Sequence, residues 1–223
     1  MMPFPGGIDA NANATLIFSL VAAVIYAFTS GMQPTLARSA AKTVSVAMLA
    51  VLAAMQGGPL LLVAALALSA IGDAFLSRDG EKAFLGGLGS FLLAHIIYVA
   101  LFLRNGEGMG VLGAQPWRGA IAVAMAAFAI VMLAALWRRV GPGLRIPIAV
   151  YVVAILAMGM SVLTTGNAWL IGGAILFMGS DGLLATEKFL VAAISPHRSW
   201  MRLAIWALYY AAQFAITLGF LLS

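Results

Sequence analysis

Two acidic residues lie inside stretches of the chain that are otherwise suited to lipid. Asp73 falls within residues 60–76 and Asp181 within residues 169–185, and both stretches are otherwise almost entirely uncharged and apolar. An unpaired carboxylate in hydrocarbon costs about 2.5 kcal/mol or more, so acidic residues at such positions usually have a function. Two carboxyl groups in a poorly hydrated site can serve as general acid and general base. These aspartates are therefore the first candidates for chemistry.

The composition identifies the environment in which the chain folds. Of its 223 residues, 64% are hydrophobic and 9% are charged, and the mean hydropathy is +1.07. A soluble domain of this length does not have enough interior to bury so much apolar surface. The composition therefore predicts an integral membrane protein, which we expect in a bacterial inner membrane.

Eight apolar segments predict the elements that must position the two aspartates. Each has the length of about 20 residues that a helix needs to cross the hydrocarbon core, and the breaks between them contain Gly, Pro or charged residues. The sequence thus predicts an all-α polytopic protein in which residues 1–223 form a single transmembrane domain, a bundle of eight helices. The predicted helices are 13–31, 36–55, 59–77, 83–103, 118–137, 144–163, 167–186 and 200–222.

The distribution of basic residues predicts the orientation of this bundle. Lys and Arg are enriched in cytoplasmic loops, and an arrangement with both termini outside places ten of the twelve cations on the cytoplasmic side. Arg104 and Arg118 are the two on the opposite side. The net charge of +5 is then explained by topology and by anionic lipid at the inner face, so it does not require a nucleic acid partner.

The polar residues of the predicted helices cluster toward the cytoplasmic side. Asp73 and Asp181 lie roughly one to two turns from the cytoplasmic ends of their helices, and Lys42 and Tyr151 lie at a comparable depth. If the helices pack so that these faces converge, they form one cavity that opens toward the cytoplasm or the inner leaflet. Slightly deeper positions on other helices hold His95, Tyr98, Tyr209, Tyr210 and Gln213.

Each polar residue also has a purely structural interpretation. Asp73 could form an ion pair with Arg78 or Lys82 at the membrane edge. Lys42 could extend its ammonium group to the interface, and His95 could be a packing residue. For Asp181 the nearest cation in the sequence is two turns away, which favours a functional role there.

Several function classes are excluded or disfavoured by residue types. The chain has no cysteine and only two histidines, so it lacks the spacing of a zinc site, and we predict neither a metal nor another cofactor. A small transporter would also carry intramembrane carboxylates, but its ionisable residues would be expected on both sides of the membrane. A lipid-binding, sensory or purely structural membrane protein is the other alternative to an enzyme.

Four motifs follow one another from the third segment to the eighth. They are Gly72-Asp73-x-x-Leu76, Phe84-x-x-Gly87-x-x-x-Phe91-x-x-x-His95-x-x-Tyr98, Gly173-Ala174-x-x-Phe177-x-x-Ser180-Asp181-x-x-Leu184 and Tyr209-Tyr210-x-x-Gln213. In order and spacing this series resembles the YhhN-like family of membrane proteins, whose characterised members are lysoplasmalogenases. One departure is that Lys42 is followed by Thr43, where the family tends to have Lys-Pro.

The resemblance implies hydrolysis of the vinyl-ether bond of a lysoplasmalogen, a lysophospholipid, to a fatty aldehyde and a glycerophospho-alcohol. A vinyl ether breaks when an acid protonates its β-carbon, and the resulting oxocarbenium ion needs a negative charge and a water molecule nearby. Two carboxyl groups in a poorly hydrated site favour a state with one protonated and one ionised. We therefore expect Asp73 and Asp181 to be the acid and base pair, in either order.

The remaining site residues follow from the same resemblance. His95, Tyr210 and Gln213 are expected to orient the water or the ether oxygen, and Lys42 to bind the phosphate. The apolar helices around the site are expected to hold the hydrocarbon chain. The predicted substrate-binding residues are Lys42, Tyr98, Tyr151, Ser180 and Tyr209.

Overall fold

The structure is a computed structural model that describes residues 2–7 and 10–222. Within these residues all regular structure is helical, as the composition predicts. The helices are α1 (Asn11–Thr29), α2 (Leu36–Met55), α3 (Leu60–Leu76), α4 (Glu81–Arg104), α5 (Val111–Ala114), α6 (Pro116–Trp137), α7 (Pro142–Val162), α8 (Ala168–Ala185), a π-helical turn (Thr186–Leu190) that continues α8, and α9 (His197–Leu221).

Seven helices among the described residues are long and apolar enough to cross a membrane, which confirms a polytopic membrane protein. They are α1, α2, α4, α6, α7, α9 and α8 together with its π-helical extension. Helix α3 is also apolar but has 17 residues, a length of about 26 Å. The eighth span and the orientation of the termini stay predictions.

Six helices form a closed ring. Consecutive neighbours in this ring are α2, α3, α4, α7, α8 and α9, and α9 returns to pack on α2. Helix α1 lies outside the ring against α2 and α9, and α6 lies outside it against α7. The side chains that face away from this bundle are apolar, as at Phe28 on α1, Val123 on α6 and Ile146 on α7. Such a surface is suited to contact with lipid chains.

Small residues and hydroxyl groups bring neighbouring helices close together. At Gly72 on α3 an added Cβ would lie 2.6 Å from the Phe91 ring of α4, so no larger residue fits there without a shift of the ring. Between the same helices, the hydroxyl of Ser90 donates to the Leu68 carbonyl at 2.7 Å. These are the contacts that hold helices together in lipid, where burial of apolar surface provides little driving force. Gly72 therefore allows α3 and α4 to pack closely beside Asp73.

Candidate active site

A polar cavity of about 290 Å³ lies at one end of the helix ring, where α2, α4 and α9 begin and α3 and α8 end. Both aspartates belong to its wall. They come from α3 and α8, which are not neighbours in the ring, so the two side chains enter the cavity from different sides. The predicted site residues that line this cavity are Lys42, Asp73, Ser180, Asp181 and Tyr209.

Asp73 has two polar partners from other helices. Its Oδ1 lies 3.0 Å from the Nζ of Lys42 on α2, and its Oδ2 accepts a hydrogen bond of 2.8 Å from the Tyr209 hydroxyl on α9. The carboxylate is 1% exposed, whereas the lysine is 13% exposed. Each oxygen of this buried carboxyl group thus has a polar partner from another helix, an ammonium group on one and a hydroxyl donor on the other.

This pairing decides between the sequence-based interpretations of the same residues. The ion-pair partner of Asp73 is Lys42 and not the sequence-adjacent Arg78 or Lys82. Lys42 turns into the cavity instead of extending to the interface, and it also lies over the Tyr26 ring at 5.8 Å. The physical reason is that α2 and α3 pack side by side, so their polar faces meet at the same depth.

Asp181 has different surroundings. Its Oδ2 accepts a hydrogen bond of 2.6 Å from the Tyr151 hydroxyl on α7 and lies 3.7 Å from the Nε2 of His95 on α4. Within the described residues no Lys or Arg nitrogen comes within ion-pair distance, 4.0 Å, of this carboxyl group. Its side chain is 14% exposed. Of the two carboxyl groups, that of Asp181 is therefore the more exposed, and it has no Lys or Arg partner among the described residues.

Aromatic rings connect the surroundings of the two aspartates. The Tyr209 ring lies 5.4 Å from Phe177, Phe177 lies 4.8 Å from His95, and His95 lies 5.2 Å from Tyr151, all edge to face. His95 is fully buried, and no hydrogen-bond partner lies within reach of its Nε2. These rings hold the phenols that contact the carboxyl groups.

Tyr98 and Gln213 form a separate polar pair beneath this layer. The Tyr98 hydroxyl donates to Gln213 Oε1 at 2.6 Å, and both residues are fully buried. The Tyr98 ring lies 6.4 Å from Phe177. Neither residue lines the polar cavity, so the structure places them behind its wall rather than at its surface.

Two further predicted residues make contacts away from the carboxyl groups. The Tyr210 hydroxyl lies 2.7 Å from the Ser19 hydroxyl of α1, so the structure does not bring it to either aspartate. Ser180 lines the cavity, but its hydroxyl donates to the backbone carbonyl of Ile205 on α9 at 2.9 Å. Ser180 thus ties α8 to α9 beside Asp181.

The mouth of the cavity is basic, and the sequence predicts cations on this side of the bundle, where they would favour an anionic or zwitterionic head group. Arg38, Arg198 and Arg202 all line it. The Arg198 Nε donates to Glu187 Oε1 at 2.7 Å, and Glu187 belongs to the π-helical turn. The signal that could have found these residues was present, because the same cations mark the helix ends that the sequence predicts to be cytoplasmic. Hydropathy does not show that they converge on one opening.

A second, apolar cavity of about 80 Å³ adjoins the polar cavity, and Asp181 is among the residues that line both. Its wall comes from α4, α6, α7 and α8, with Leu76 at the end of α3 and part of the π-helical turn, and includes Leu136, Ile148, Tyr151 and Met178. Asp181 is thus in contact with a polar space on one side and an apolar space on the other. This arrangement suits a molecule that has a charged end and a hydrocarbon end.

The described residues contain no cluster of three or more His, Asp or Glu side chains that could hold a metal ion. Asp181 and His95 are near each other, but Asp73 is engaged with Lys42.

Comparison with known proteins agrees with the motif series. The model of the YhhN family matches residues 37–220, which is most of the chain. This range includes Asp73 and Asp181 and the side chains that contact their carboxyl groups. The chain belongs to the YhhN family. No solved structure matches the chain.

Named relatives are identical to this chain at about a third of the aligned residues. The lysoplasmalogenases of Mycobacterium bovis and Mycobacterium tuberculosis are each 35% identical over 165 residues, which cover 71% of this chain and 59% of each relative. Lysoplasmalogenase TMEM86B of Homo sapiens is 34% identical over 165 residues, which cover 73% of this chain and 64% of the relative. This YhhN chain therefore spans about six tenths of the length of these curated relatives.

Proposed function

We propose that this protein is a membrane hydrolase that cleaves the vinyl-ether bond of lysoplasmalogens, giving a fatty aldehyde and a glycerophospho-alcohol. The observation that carries the proposal is the position of Asp181 between a polar and an apolar cavity, with Asp73 in the same polar wall. The lysoplasmalogenases among its relatives support the same reaction. A lysolipid bound with its chain in the apolar cavity and its head group in the polar one has its ether bond at Asp181.

Asp181 is the proposed general acid. No Lys or Arg nitrogen lies within ion-pair distance of it among the described residues, so its proton is not displaced by a permanent positive charge. It transfers this proton to the β-carbon of the vinyl ether, and the electrons of the double bond form the new C–H bond. The positive charge then develops on the ether carbon and oxygen as an oxocarbenium ion.

Asp73 is the proposed stabilising carboxylate. Its ion pair with Lys42 keeps it ionised, so a fixed negative charge faces the cavity when the oxocarbenium ion forms. Preorganised charge of this kind acts strongly in a poorly hydrated site. Tyr209 holds the carboxylate in position through its hydrogen bond.

Water completes the reaction. It adds to the cationic carbon, and the ionised Asp181 accepts one of its protons, which restores the acid. The hemiacetal that results then collapses: the carbonyl bond forms, the bond to the glycerol oxygen breaks, and that oxygen receives the hydroxyl proton. One water is consumed for each bond cleaved. Tyr151 positions the Asp181 carboxyl group through its hydrogen bond. His95, whose Nε2 lies 3.7 Å from the same oxygen, is proposed to help orient the water or the ether oxygen. The buried pair Tyr98 and Gln213 supports the aromatic layer.

The head group is proposed to lie at the basic mouth of the polar cavity. Lys42 is engaged by Asp73, so the phosphate is assigned to Arg38 and Arg202 rather than to the lysine. Neither arginine has a carboxylate within ion-pair distance in the described part of the chain. The open end of the cavity then faces the cytoplasmic side of the membrane.

A comparison of three lysolipids tests the proposed reaction. Purified protein is incubated with lysolipids that share one head group and chain length but carry an ester, a saturated ether or a vinyl-ether bond, and fatty aldehyde is trapped and quantified. We expect aldehyde from the vinyl ether alone. Ester cleavage without aldehyde would assign the site to another lipid hydrolase, and binding of all three without turnover would favour a lipid-binding protein or transporter.

Amide variants test the carboxyl groups in the same assay. Asp181→Asn and Asp73→Asn keep size and hydrogen bonding but cannot supply an acidic proton or a charge, so each should lose on the order of 10²-fold in turnover or more. Glu107→Gln is the matched control, because Glu107 follows the opposite end of α4. Full turnover in either aspartate variant would remove that residue from the mechanism.

A further inference from the structure

An apolar groove of about 350 Å³ runs between α6 and α8 on the far side of the apolar cavity. It is lined by residues of α6 and by Ile175, Met178 and Gly179 of α8. Phe128 and Met178 belong to the walls of both spaces. The groove therefore continues the apolar cavity away from Asp181, and these two side chains separate them.

Phe128 is the point at which α6 reaches α8. Its ring lies against Gly182, the residue that follows Asp181, and a Cβ at that glycine would collide with the ring. Elsewhere α6 packs on α7, where the Met125 sulfur would lie 2.8 Å from a Cβ on Gly159. Phe128 is itself 39% exposed, so lipid-facing space is available into which the ring can turn.

We propose that the groove holds the distal part of the substrate's hydrocarbon chain and that Phe128 determines which chain lengths are accepted. This inference rests on the proposed function, because its occupant is the chain of the lysolipid whose ether bond lies at Asp181. Ile175, which lines the groove, lies about 9 Å along α8 from Asp181. A short chain stays within the apolar cavity, and a long chain reaches the groove only by displacing the Phe128 ring that separates the two spaces.

Two substitutions should change chain preference in opposite directions. Phe128→Ala joins the cavity to the groove and should raise kcat/KM several-fold for octadecenyl relative to octenyl lysoplasmalogen. Gly179→Leu should lower the same ratio, since an added Cβ at Gly179 meets nothing within 4 Å and the side chain would fill the groove without disturbing the fold. Ile130→Ala is the control on the same helix, because Ile130 is an exposed, lipid-facing residue. An unchanged ratio in both groove variants would overturn the proposal.

Photo-crosslinking provides a readout that does not need turnover. Saturated-ether lysolipids carry a diazirine at either the proximal or the distal end of the chain, and crosslinked peptides are mapped by mass spectrometry. We expect the proximal probe on Leu136 or Met132 and the distal probe on Ile121 or Ile175, which line the cavity and the groove respectively. Distal crosslinks spread over lipid-facing Val123 and Ile130 would show ordinary bilayer contact and overturn the proposal. If the expected pattern appears without vinyl-ether cleavage, the chain site stands and the proposed reaction fails.

Discussion

At the residue scale, two adjacent tyrosines on α9 have different partners because they face different directions. Successive residues of an α-helix point about 100° apart, so Tyr209 and Tyr210 face different neighbours. Tyr209 donates to Asp73, whereas the Tyr210 hydroxyl contacts Ser19 at the back of the helix. One phenol therefore belongs to the candidate site and the other to the packing of α1 on α9.

The first prediction compares two phenols by the same chemical change. Tyr151→Phe removes the hydroxyl donor to Asp181, and a hydrogen bond to an uncharged group is worth about 1 kcal/mol, so kcat/KM should fall about fivefold. Tyr210→Phe should leave kcat/KM within about twofold. Aldehyde release measures both. An equal loss in Tyr210→Phe would return Tyr210 to the group of residues that orient water or the ether oxygen.

The second prediction concerns the ion pair between Lys42 and Asp73. Lys42→Met leaves an almost fully buried carboxylate without its counter-charge, which should destabilise the fold by about 3 kcal/mol or more. The double variant Lys42→Met with Asp73→Asn removes both charges and should recover most of the lost stability, but no activity. Thermal unfolding in detergent measures the stability, and aldehyde release measures the activity. Equal stability of the wild type and Lys42→Met would show that the pair contributes nothing to the fold.

Much of the candidate site could be predicted from depth and residue type. Lys42, Asp73, Asp181 and Tyr209 were expected in one cavity, and the structure brings them to one wall. Their individual partners could not be predicted, because the rotation of each helix about its axis is set by packing. Phe128 carried no signal, since an apolar residue in a lipid-facing helix is unremarkable until its contact with Gly182 is seen.

At the scale of the elements, helix bounds followed closely from hydropathy. The second predicted segment, 36–55, coincides with α2, and the last, 200–222, differs from α9 by a few residues. Bounds are predictable because the hydrocarbon thickness sets helix length, and because Gly, Pro and charged residues mark the ends. Which face of a helix meets its neighbour is harder to predict, because lipid-facing and protein-facing residues are both apolar.

The third prediction belongs to the contact between α8 and α9. Because Ser180 donates to the Ile205 carbonyl, Ser180→Ala should lower the free energy of unfolding by about 0.6 kcal/mol, the average for hydrogen bonds between transmembrane helices. It should leave KM for the lysolipid unchanged. Ser90→Ala, which removes the corresponding bond between α4 and α3, is the matched variant. A raised KM in Ser180→Ala alone would support the sequence-based assignment of Ser180 to substrate binding.

At the scale of the whole molecule, the fourth prediction is the orientation of the chain. If α3 crosses the membrane with the seven longer helices, both termini lie outside and the basic mouth of the polar cavity lies inside. A reporter enzyme that is active only outside the cytoplasm should therefore be active when fused after residue 222 and inactive when inserted at residue 140. The reverse pattern would place the cavity mouth on the outer face.

The fifth prediction is that activity does not depend on an added metal. In the proposed mechanism the carboxyl groups act as acid and as fixed charge, and the described residues provide no cluster of three metal-binding side chains. Treatment with a strong chelator should therefore leave aldehyde release unchanged. If the treated protein were inactive and one divalent ion restored it, Asp73 and Asp181 would be ligands instead, although the cavity would keep its location.

The ion pair between Lys42 and Asp73 also affects whether the aldehyde of the proposed reaction can modify the protein covalently. A fatty aldehyde forms Schiff bases with lysine, but only with the neutral amine, which has a free electron pair. Lys42, which lines the polar cavity, forms an ion pair with Asp73 at 3.0 Å, and an amine in an ion pair has no free electron pair. In the proposed reaction this contact therefore keeps the Lys42 amine from attacking the aldehyde, which would leave through the apolar side without covalently modifying the site.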